Sequence, residues 1–433
     1  MRHQYSVDVA ILGAGAAGLA AASALSAQPL SVLVIEARNR IGGRALTHRF
    51  SDNLVFDVGC EWLHAAEQNE FSSVARRLDF ELACCQPRWG EHSCRINFPL
   101  SEQQEFDAAL QAFEGRIEAA SRLSEDSSAA DWLETGSRWN PLIDAISTYV
   151  NGTELNNVSV HDTSNYHDSG LNWRVREGYG ALIAEFGSLV DVALSTVASR
   201  VNHAGEDIEI ETSGGTVRCR ALICTLPTNL IAAEFVRFSP PLHDKLVAAA
   251  GLPLGHAEKV LLSIDTPELL PLDGHLFGKT DRRQTGSYDL RPLSRPCIQA
   301  FFGGSLAMEL ANNGALAEFA IEELVSLFGS EIRGRIAHVA SSAWTLDRFA
   351  TGSYSHALPG CGDYRSVLAA SIDNRVFFAG EATSPNFFST AHGAYQSGVR
   401  AAAEVIAAFE LRTPRKHSRW SPEASQSSIP TRS

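Results

Sequence analysis

The run Val7-Asp8-Val9-Ala10-Ile11-Leu12-Gly13-Ala14-Gly15-Ala16-Ala17-Gly18, continued to Ile35-Glu36, decides the fold. Val7, Val9, Ala10, Ile11 and Leu12 make the apolar stretch expected of a parallel strand buried on both faces. That strand feeds a Gly13-x-Gly15-x-x-Gly18 spacing at the mouth of an alanine-rich helix. Gly13 permits the tight turn, Gly15 lets the backbone approach a pyrophosphate at the helix N-terminus, and Gly18 lets helix and strand pack closely. A second apolar strand, Ser31 to Ile35, ends on Glu36, whose carboxylate can accept hydrogen bonds from a ribose diol. The glycines alone are weak evidence. Strand, glycines, helix, second strand and terminal acid in that order predict a doubly wound α/β domain that binds a dinucleotide.

Directly downstream stands Glu36-Ala37-Arg38-Asn39-Arg40-Ile41-Gly42-Gly43-Arg44. NAD has no need of a second glycine turn carrying a cation, whereas FAD presents its pyrophosphate to both segments and can take a charge-assisted hydrogen bond from Arg44. The stretch resembles the FAD signature of the flavin amine oxidases, the family of monoamine oxidases, polyamine oxidases and lysine-specific histone demethylases. That resemblance implies a Rossmann-type FAD-binding domain interleaved with an α+β substrate-binding domain. It also implies cofactor contacts from Gly13, Gly15, Ala16, Gly18, Glu36, Ala37, Arg38, Gly43 and Arg44.

Later segments extend the likeness. Asp57-Val58-Gly59-Cys60-Glu61-Trp62 reads as a strand and turn returning to the flavin, with Gly59, Glu61 and Trp62 at the cofactor. Cys60-Glu61-Trp62 departs from the small or aliphatic residues common after that glycine; if Glu61 faces the substrate cavity, it can pair with a second ammonium. Val376 to Ala379 reads as a buried strand, followed by Gly380-Glu381 and a helix opening at Thr390-Ala391-His392-Gly393. By resemblance Gly380 and Glu381 meet the ribityl and pyrophosphate region, and Thr390 and Ala391 aim the positive end of the helix at the flavin pyrimidine. His392 reads as structural, since no acid partner is visible beside it.

Lys259 interrupts a largely apolar strand, Leu254 to Leu262, where lysine is rarely buried without a reason. In the family the corresponding lysine holds a water against flavin N5, and that role carries over to Lys259; the alternative is an edge-strand lysine that snorkels. Trp344 and Phe349-Ala350-Thr351-Gly352-Ser353-Tyr354-Ser355 resemble the tryptophan and Gly-Ser-Tyr-Ser segment of polyamine oxidases and histone demethylases. Tyr354 becomes an aromatic wall for an amine, and Trp344 a substrate contact or a packing residue. Ser353 stands where monoamine oxidases attach FAD through cysteine, so non-covalent FAD is expected. Thr390 stands where monoamine and many polyamine oxidases have tyrosine. A second wall then falls to Phe387 or Phe388, for which ordinary packing is an equal reading.

The chain has 433 residues, 45% of them hydrophobic, which suffices for two domains with ample cores. The expected division gives 1–64, 177–230 and 360–411 to the FAD-binding domain and 65–176 and 231–359 to the substrate-binding domain. A basic, then Ser- and Pro-rich stretch over 412–433 is expected to be a disordered tail. Phe106, Leu110, Phe113, Ile117 and Ala120 recur at helical spacing, and a second amphipathic helix runs from about Leu316 to Phe328, closed by Gly329. Alternation at Ile208 and Ile210 and a Ser213-Gly214-Gly215 turn make 191–227 β-like. Eight cysteines without CxxC or metal-like spacing read as reduced thiols in a cytoplasmic protein, with no metal. No apolar run reaches the roughly 18 residues of a membrane span, and a formal charge of −14 argues against nucleic acid. Oligomeric state stays open.

The expected partners are therefore a small-molecule amine and O2 or another electron acceptor. A neutral amine would give a hydride to flavin N5, the imine would hydrolyse, and O2 would return as hydrogen peroxide, with rate rising as the substrate ammonium loses its proton. An amino-acid oxidase would need an arginine for the carboxylate, for which Arg88, Arg174 and Arg348 are candidates. A desaturase or protoporphyrinogen-oxidase-like enzyme shares the first signature but not the Lys259 segment or Gly-Ser-Tyr-Ser, and a non-catalytic flavoprotein would bind FAD that no amine reduces.

Overall fold

A computed structural model of the chain describes residues 3–90, 92–93 and 98–411; Cys94 and the expected tail over 412–433 lie outside the described residues. The first strand, His3–Leu12, begins four residues before the apolar run and sits between Gly215–Cys224 and Val32–Ile35, parallel to both. Its residues alternate between two cores. Val9 and Ile11 join Ala17, Leu19 and Ala21 of the first helix, Ala16–Leu25, while Ala10 and Leu12 join Val217, Leu222 and Phe378 on the other face. This double burial explains an unbroken apolar run. Val192–Ala193 continues the parallel set beyond the second strand.

Along its other edge, Gly215–Cys224 serves two neighbours. Its first half pairs antiparallel with Ile208–Thr212, and Leu222 to Cys224 pair parallel with Val376–Phe378. Ala198–Asn202 and Arg237–Ser239 complete the eight-stranded sheet. The sheet therefore extends past residue 230, the expected limit of its domain, because Arg237–Ser239 finds its partners on Ala198–Asn202. The closing helix, Ala391–Leu411, packs on the first helix through small residues, and a Cβ on Gly398 would stand 2.1 Å from the Ala17 carbonyl oxygen.

A second sheet of five antiparallel strands runs Gly274–Phe277, Ser287–Leu290, Cys297–Gly303, Ala257–Ile264, Ile336–Ser341 in spatial order. One face carries Val260, Leu262, Ile298, Ala300, Phe302 and Tyr288 against the helices Gly304–Asn313 and Leu316–Phe328. The opposite face carries Lys259, Phe301, Gln299, Ser287 and Asp289, fixed there by the pairing of Lys259 with Phe301 and of Asp289 with Gln299. A helical layer built on Leu100–Ala120 and Asn140–Asn151 packs around Phe98, Phe106, Phe113 and Trp139. A short ribbon pairs Trp62–Leu63 antiparallel with Trp173–Val175. The architecture is the expected α/β Rossmann-type unit interleaved with an α+β unit.

Candidate active site

The nucleotide cradle follows from glycine sterics. Gly13 has φ +102°, and a Cβ on Gly18 would lie 1.9 Å from the Gly13 carbonyl oxygen, so turn and helix contact exclude a side chain. Gly15 bridges Gly42, which brings the second glycine turn against the first. No side chain caps the helix that starts at Ala16, and its first turn holds no acid, leaving its positive end clear for an anion. Glu36 lies buried at the end of the second strand. One of its oxygens accepts from the Ala14 amide and the other from the Arg38 amide, each at 2.8 Å, which sets the carboxylate beside the fingerprint turn. Ala37 is carried between them, and Arg38 reaches Asp347 at 2.7 Å.

Arg44 donates to the Ser353 carbonyl at 2.6 Å and to Glu381 at 3.0 Å. Glu381 also accepts from the Ser355 hydroxyl and the Ser389 amide. Burial alone would raise the Glu381 carboxyl, but Arg44 with the Ser355 hydrogen bond and Arg365 holds it below the usual range. Behind Ser355, Arg365 makes a bidentate pair with Asp162 at 2.6 and 2.7 Å and lies 3.7 Å from the Phe388 ring centre. Arg44, Gly380, Glu381 and Thr383 line a cleft together with Thr225, Pro227 and Phe378. Three distant segments of sequence thus converge on one cleft, and the donor set and open helix end fit the pyrophosphate of a nucleotide cofactor.

The Asp57–Trp62 turn joins this cradle to the second sheet. A Cβ on Gly59 would stand 1.7 Å from the Arg44 carbonyl oxygen, so only glycine lets the two backbones touch. From the strand Ala257–Ile264, Lys259 donates to Glu61 at 2.8 Å and to the Asp57 carbonyl at 3.1 Å, and it is 9% exposed. The snorkelling alternative is excluded by that burial. Glu61 forms a second ion pair, 2.8 Å, with Arg174. Arg174 lies 3.8 Å from the Trp62 ring centre and pairs in turn with Asp289. Glu61 therefore already faces two cations and does not offer its charge to a substrate's second ammonium. The Asp57 carboxylate turns away, accepting from Thr47 and from the Tyr179 and Gly180 amides.

The remaining expected residues divide. Tyr354 reaches the Tyr149 carbonyl with its hydroxyl at 2.5 Å and is partly buried, and Tyr149 packs edge-on against Phe301, the residue opposite Lys259. Thr390 caps the closing helix: its hydroxyl donates to the Phe387 carbonyl and accepts from the Gly393 amide. Trp344 is a support rather than a wall. Its indole N–H donates to the Val58 carbonyl, and it packs with Phe56, Val58 and Leu261 behind Gly59. Phe388 is enclosed between Arg365 and the Tyr166 ring, while Phe387 stays partly exposed beside His392. His392 is buried with no partner on Nε2, and burial pushes its imidazole down to about 3, keeping it neutral. The Ser353 hydroxyl is taken by the Ala257 backbone at 2.7 and 2.9 Å. Arg365, Asp162 and Asp289 carry no local sequence signal, because their partners lie more than a hundred residues away. Among the described residues no group of three or more His, Cys, Asp or Glu could hold a metal, and no helix is long and apolar enough to cross a membrane.

Comparison with known proteins gives the same architecture. The chain is 27% identical to polyamine oxidase 3 of rice, across 93% of this chain and 90% of that protein. It is 27% identical to lysine-specific histone demethylase 1 homolog 3 of Arabidopsis thaliana over 92% of this chain and 30% of that one, and 24% identical to human lysine-specific histone demethylase 2 over 93% and 54%. It thus spans about half or less of these demethylases. A putrescine oxidase bound to putrescine superposes with a TM-score of 0.75 at 19% identity, covering 94% of this chain and 100% of that one. The cyclohexylamine oxidase of Brevibacterium oxydans superposes with 0.74 at 20% identity, covering 93% and 99%. The model of the flavin containing amine oxidoreductases matches residues 16–406, and the chain belongs to that family.

Proposed function

We propose that the protein is an FAD-dependent amine oxidase that binds FAD without a covalent link and acts on a small-molecule amine. The observation that carries the reading is the Asp57–Trp62 turn, which touches Arg44 of the cradle with Gly59 and receives Lys259 of the second sheet on Asp57 and Glu61. When FAD is bound it supplies the electron acceptor, so that an amine α-carbon loses hydride to N5, the imine hydrolyses to a carbonyl compound and an amine or ammonia, and O2 is reduced to hydrogen peroxide.

The chain's own residues bind, orient and exclude water. Gly13, Gly15, Ala16 and Gly18 present backbone to the pyrophosphate, with Gly43 and Arg44 opposite; Glu36, with Ala37 and Arg38, takes the ribose end. Gly59, Trp62, Gly380, Glu381, Thr390 and Ala391 frame the remainder. Tyr354 would form one wall of the amine pocket, and Lys259 would hold a water at the cofactor's reactive edge. The 1–64, 177–230 and 360–411 segments would form the FAD-binding unit, with Arg237–Ser239 added to its edge. An amino-acid oxidase finds less support, since Arg174, one candidate for a substrate carboxylate, is engaged by Glu61 and Asp289.

The test is an anaerobic titration of the purified flavoprotein with monoamines, polyamines and amino acids, following flavin absorbance near about 450 nm. Bleaching by amines, followed by peroxide on admitting air, is expected. Bleaching by amino acids alone would replace amine oxidation with amino-acid oxidation, and absence of FAD would overturn the reading.

A further inference from the structure

We propose that Cys84 and Cys85 are a peroxide-oxidised thiol pair, and that their closure to a disulfide releases the segment after Ala83 from the ribbon beside Arg174. The proposal lies outside the flavin reaction and takes from that reading only the source of the oxidant, hydrogen peroxide.

The two cysteines are adjacent in sequence and both are exposed. They follow Leu82–Ala83, which pairs antiparallel with the other edge of Trp173–Val175 and sets Ala83 opposite Arg174. Two further tethers flank the pair. The Arg176 amide donates to the Glu81 carbonyl at 2.9 Å, and the Asn172 amide donates to the Gln86 side-chain oxygen at 3.4 Å. The thiols thus stand between the last paired residue of the strand and the Gln86 tether. Ala83 and Cys85 line one cleft with Trp62, Arg174 and Asp289, as alternate residues of an extended chain do. Cys84 between them turns its thiol back to the Leu82 carbonyl at 3.8 Å.

Oxidation by peroxide needs a thiolate that solvent reaches and a neighbouring thiol to resolve the product. Among the described residues only Cys84 and Cys85 are exposed cysteines, and each has the other beside it. Burial pushes the thiols of Cys60, Cys219, Cys224 and Cys297 up to about 12, 12, 11 and 12, which keeps them protonated and inert. At the pair, one thiolate attacks peroxide, the O–O bond breaks, and the departing hydroxide takes a proton and leaves as water. The product is a sulfenic acid. The second thiol attacks that sulfur, its proton leaves with the hydroxyl as a second water, and the S–S bond forms. Two thiols thereby give two electrons to one peroxide.

Adjacent Cα atoms stand about 3.8 Å apart across a trans peptide, closer than the separation of about 4.4–6.8 Å usual for a disulfide. In the extended segment the two thiols face apart, so closure requires it to turn. That turn draws Cys85 from the cleft wall and pulls on the pairing of Ala83 with Arg174. A bond that is strained and exposed is readily reduced, as a reversible switch requires.

The test exposes flavin-loaded protein, without amine, to added hydrogen peroxide, followed by alkylation and trypsin. Cleavage after Arg77 and Arg88 gives the peptide Leu78–Arg88, which holds both thiols and no other cysteine. Loss of alkylation at both positions is expected, with the peptide lighter by two hydrogens and its alkylation restored by dithiothreitol. Amide exchange over 78–88 and 172–176 should quicken on oxidation and return on reduction. In Cys84→Ser and in Cys85→Ser peroxide should leave that exchange unchanged. The proposal is overturned by a peptide that still takes two alkyl groups, that reaches sulfinic or sulfonic acid without closing, or that is bridged to another peptide. Closure with unchanged exchange overturns it equally, since the ribbon then stays intact. Because the peroxide is added, these outcomes judge the thiol pair alone, and the amine titration above judges where peroxide comes from.

Discussion

Arg365 ties the helical layer to the cofactor cradle through single atoms. Its Nε and Nη2 hold Asp162, its Nη1 donates to the Ser355 hydroxyl, and Ser355 donates to Glu381, which Arg44 meets from the other side. Removing one partner of a buried ion pair leaves an uncompensated charge, which costs about 3–5 kcal/mol. Asp162→Ala should therefore lower the urea midpoint by that equivalent and loosen the flavin, measured by flavin release on gel filtration. Thr390 contributes less. Its cap on the closing helix is worth about 1 kcal/mol, so Thr390→Ala should shift the midpoint slightly. Sequence marked Arg44 and Glu381 because each sits in a local motif, and it could not mark Arg365 because 203 residues separate it from Asp162. The same blindness left Phe387 and Phe388 open between pocket wall and ordinary packing, since nothing local shows a guanidinium on the Phe388 face.

Elements were legible where one periodicity ruled them. Leu316–Phe328 keeps the bounds read from its apolar spacing, with Gly329 at φ +92° ending it, and Leu100–Ala120 buries Phe106, Phe113 and Ile117. The strands of the second sheet were less legible for a physical reason. Their inner face alternates aromatic, amide, hydroxyl and carboxylate at Phe301, Gln299, Ser287 and Asp289, so neither a simple apolar run nor a polar stripe appears. Close approach between helices is equally local in sequence and remote in space. Gly398 admits the first helix because a Cβ there would stand 2.1 Å from the Ala17 carbonyl oxygen. Gly398→Leu forces the helices apart, at about 1–3 kcal/mol for overpacking, and moves the N-terminal end of the first helix. The expected outcome is a fall in the flavin-to-protein absorbance ratio. Gly115→Ala, on a helix face with nothing within 4 Å, should instead raise stability by about 0.5–1 kcal/mol.

At the scale of the molecule, the interleaving of two sheets was legible from the resemblance, but the ionic junction between them was not, since it depends on which faces meet. That junction makes stability respond to pH through two carboxyls of opposite sense. Burial raises Asp57 from 3.8 to about 6, outweighing the Thr47 hydroxyl and the Tyr179 and Gly180 amides, which pull it down. Folding then favours its protonated form, a contribution present below about 3.8 and lost as pH rises through 6. Burial also pushes Glu61 upward, but Lys259 and Arg174 together outweigh it and bring the carboxyl from 4.5 to about 2. Its contribution is fully present above 4.5 and is lost as pH falls toward 2. At about 1.36 kcal/mol per pH unit the Glu61 contribution is of order 3 kcal/mol. Glu61→Gln leaves two buried cations facing each other and should be less stable than the parent at pH 7. Because the variant has no carboxyl to protonate, the difference in urea unfolding free energy should narrow by about 2 kcal/mol between pH 7 and pH 3. A difference that stays constant over that range would show that Glu61 is not held ionised by Lys259 and Arg174 in the folded protein.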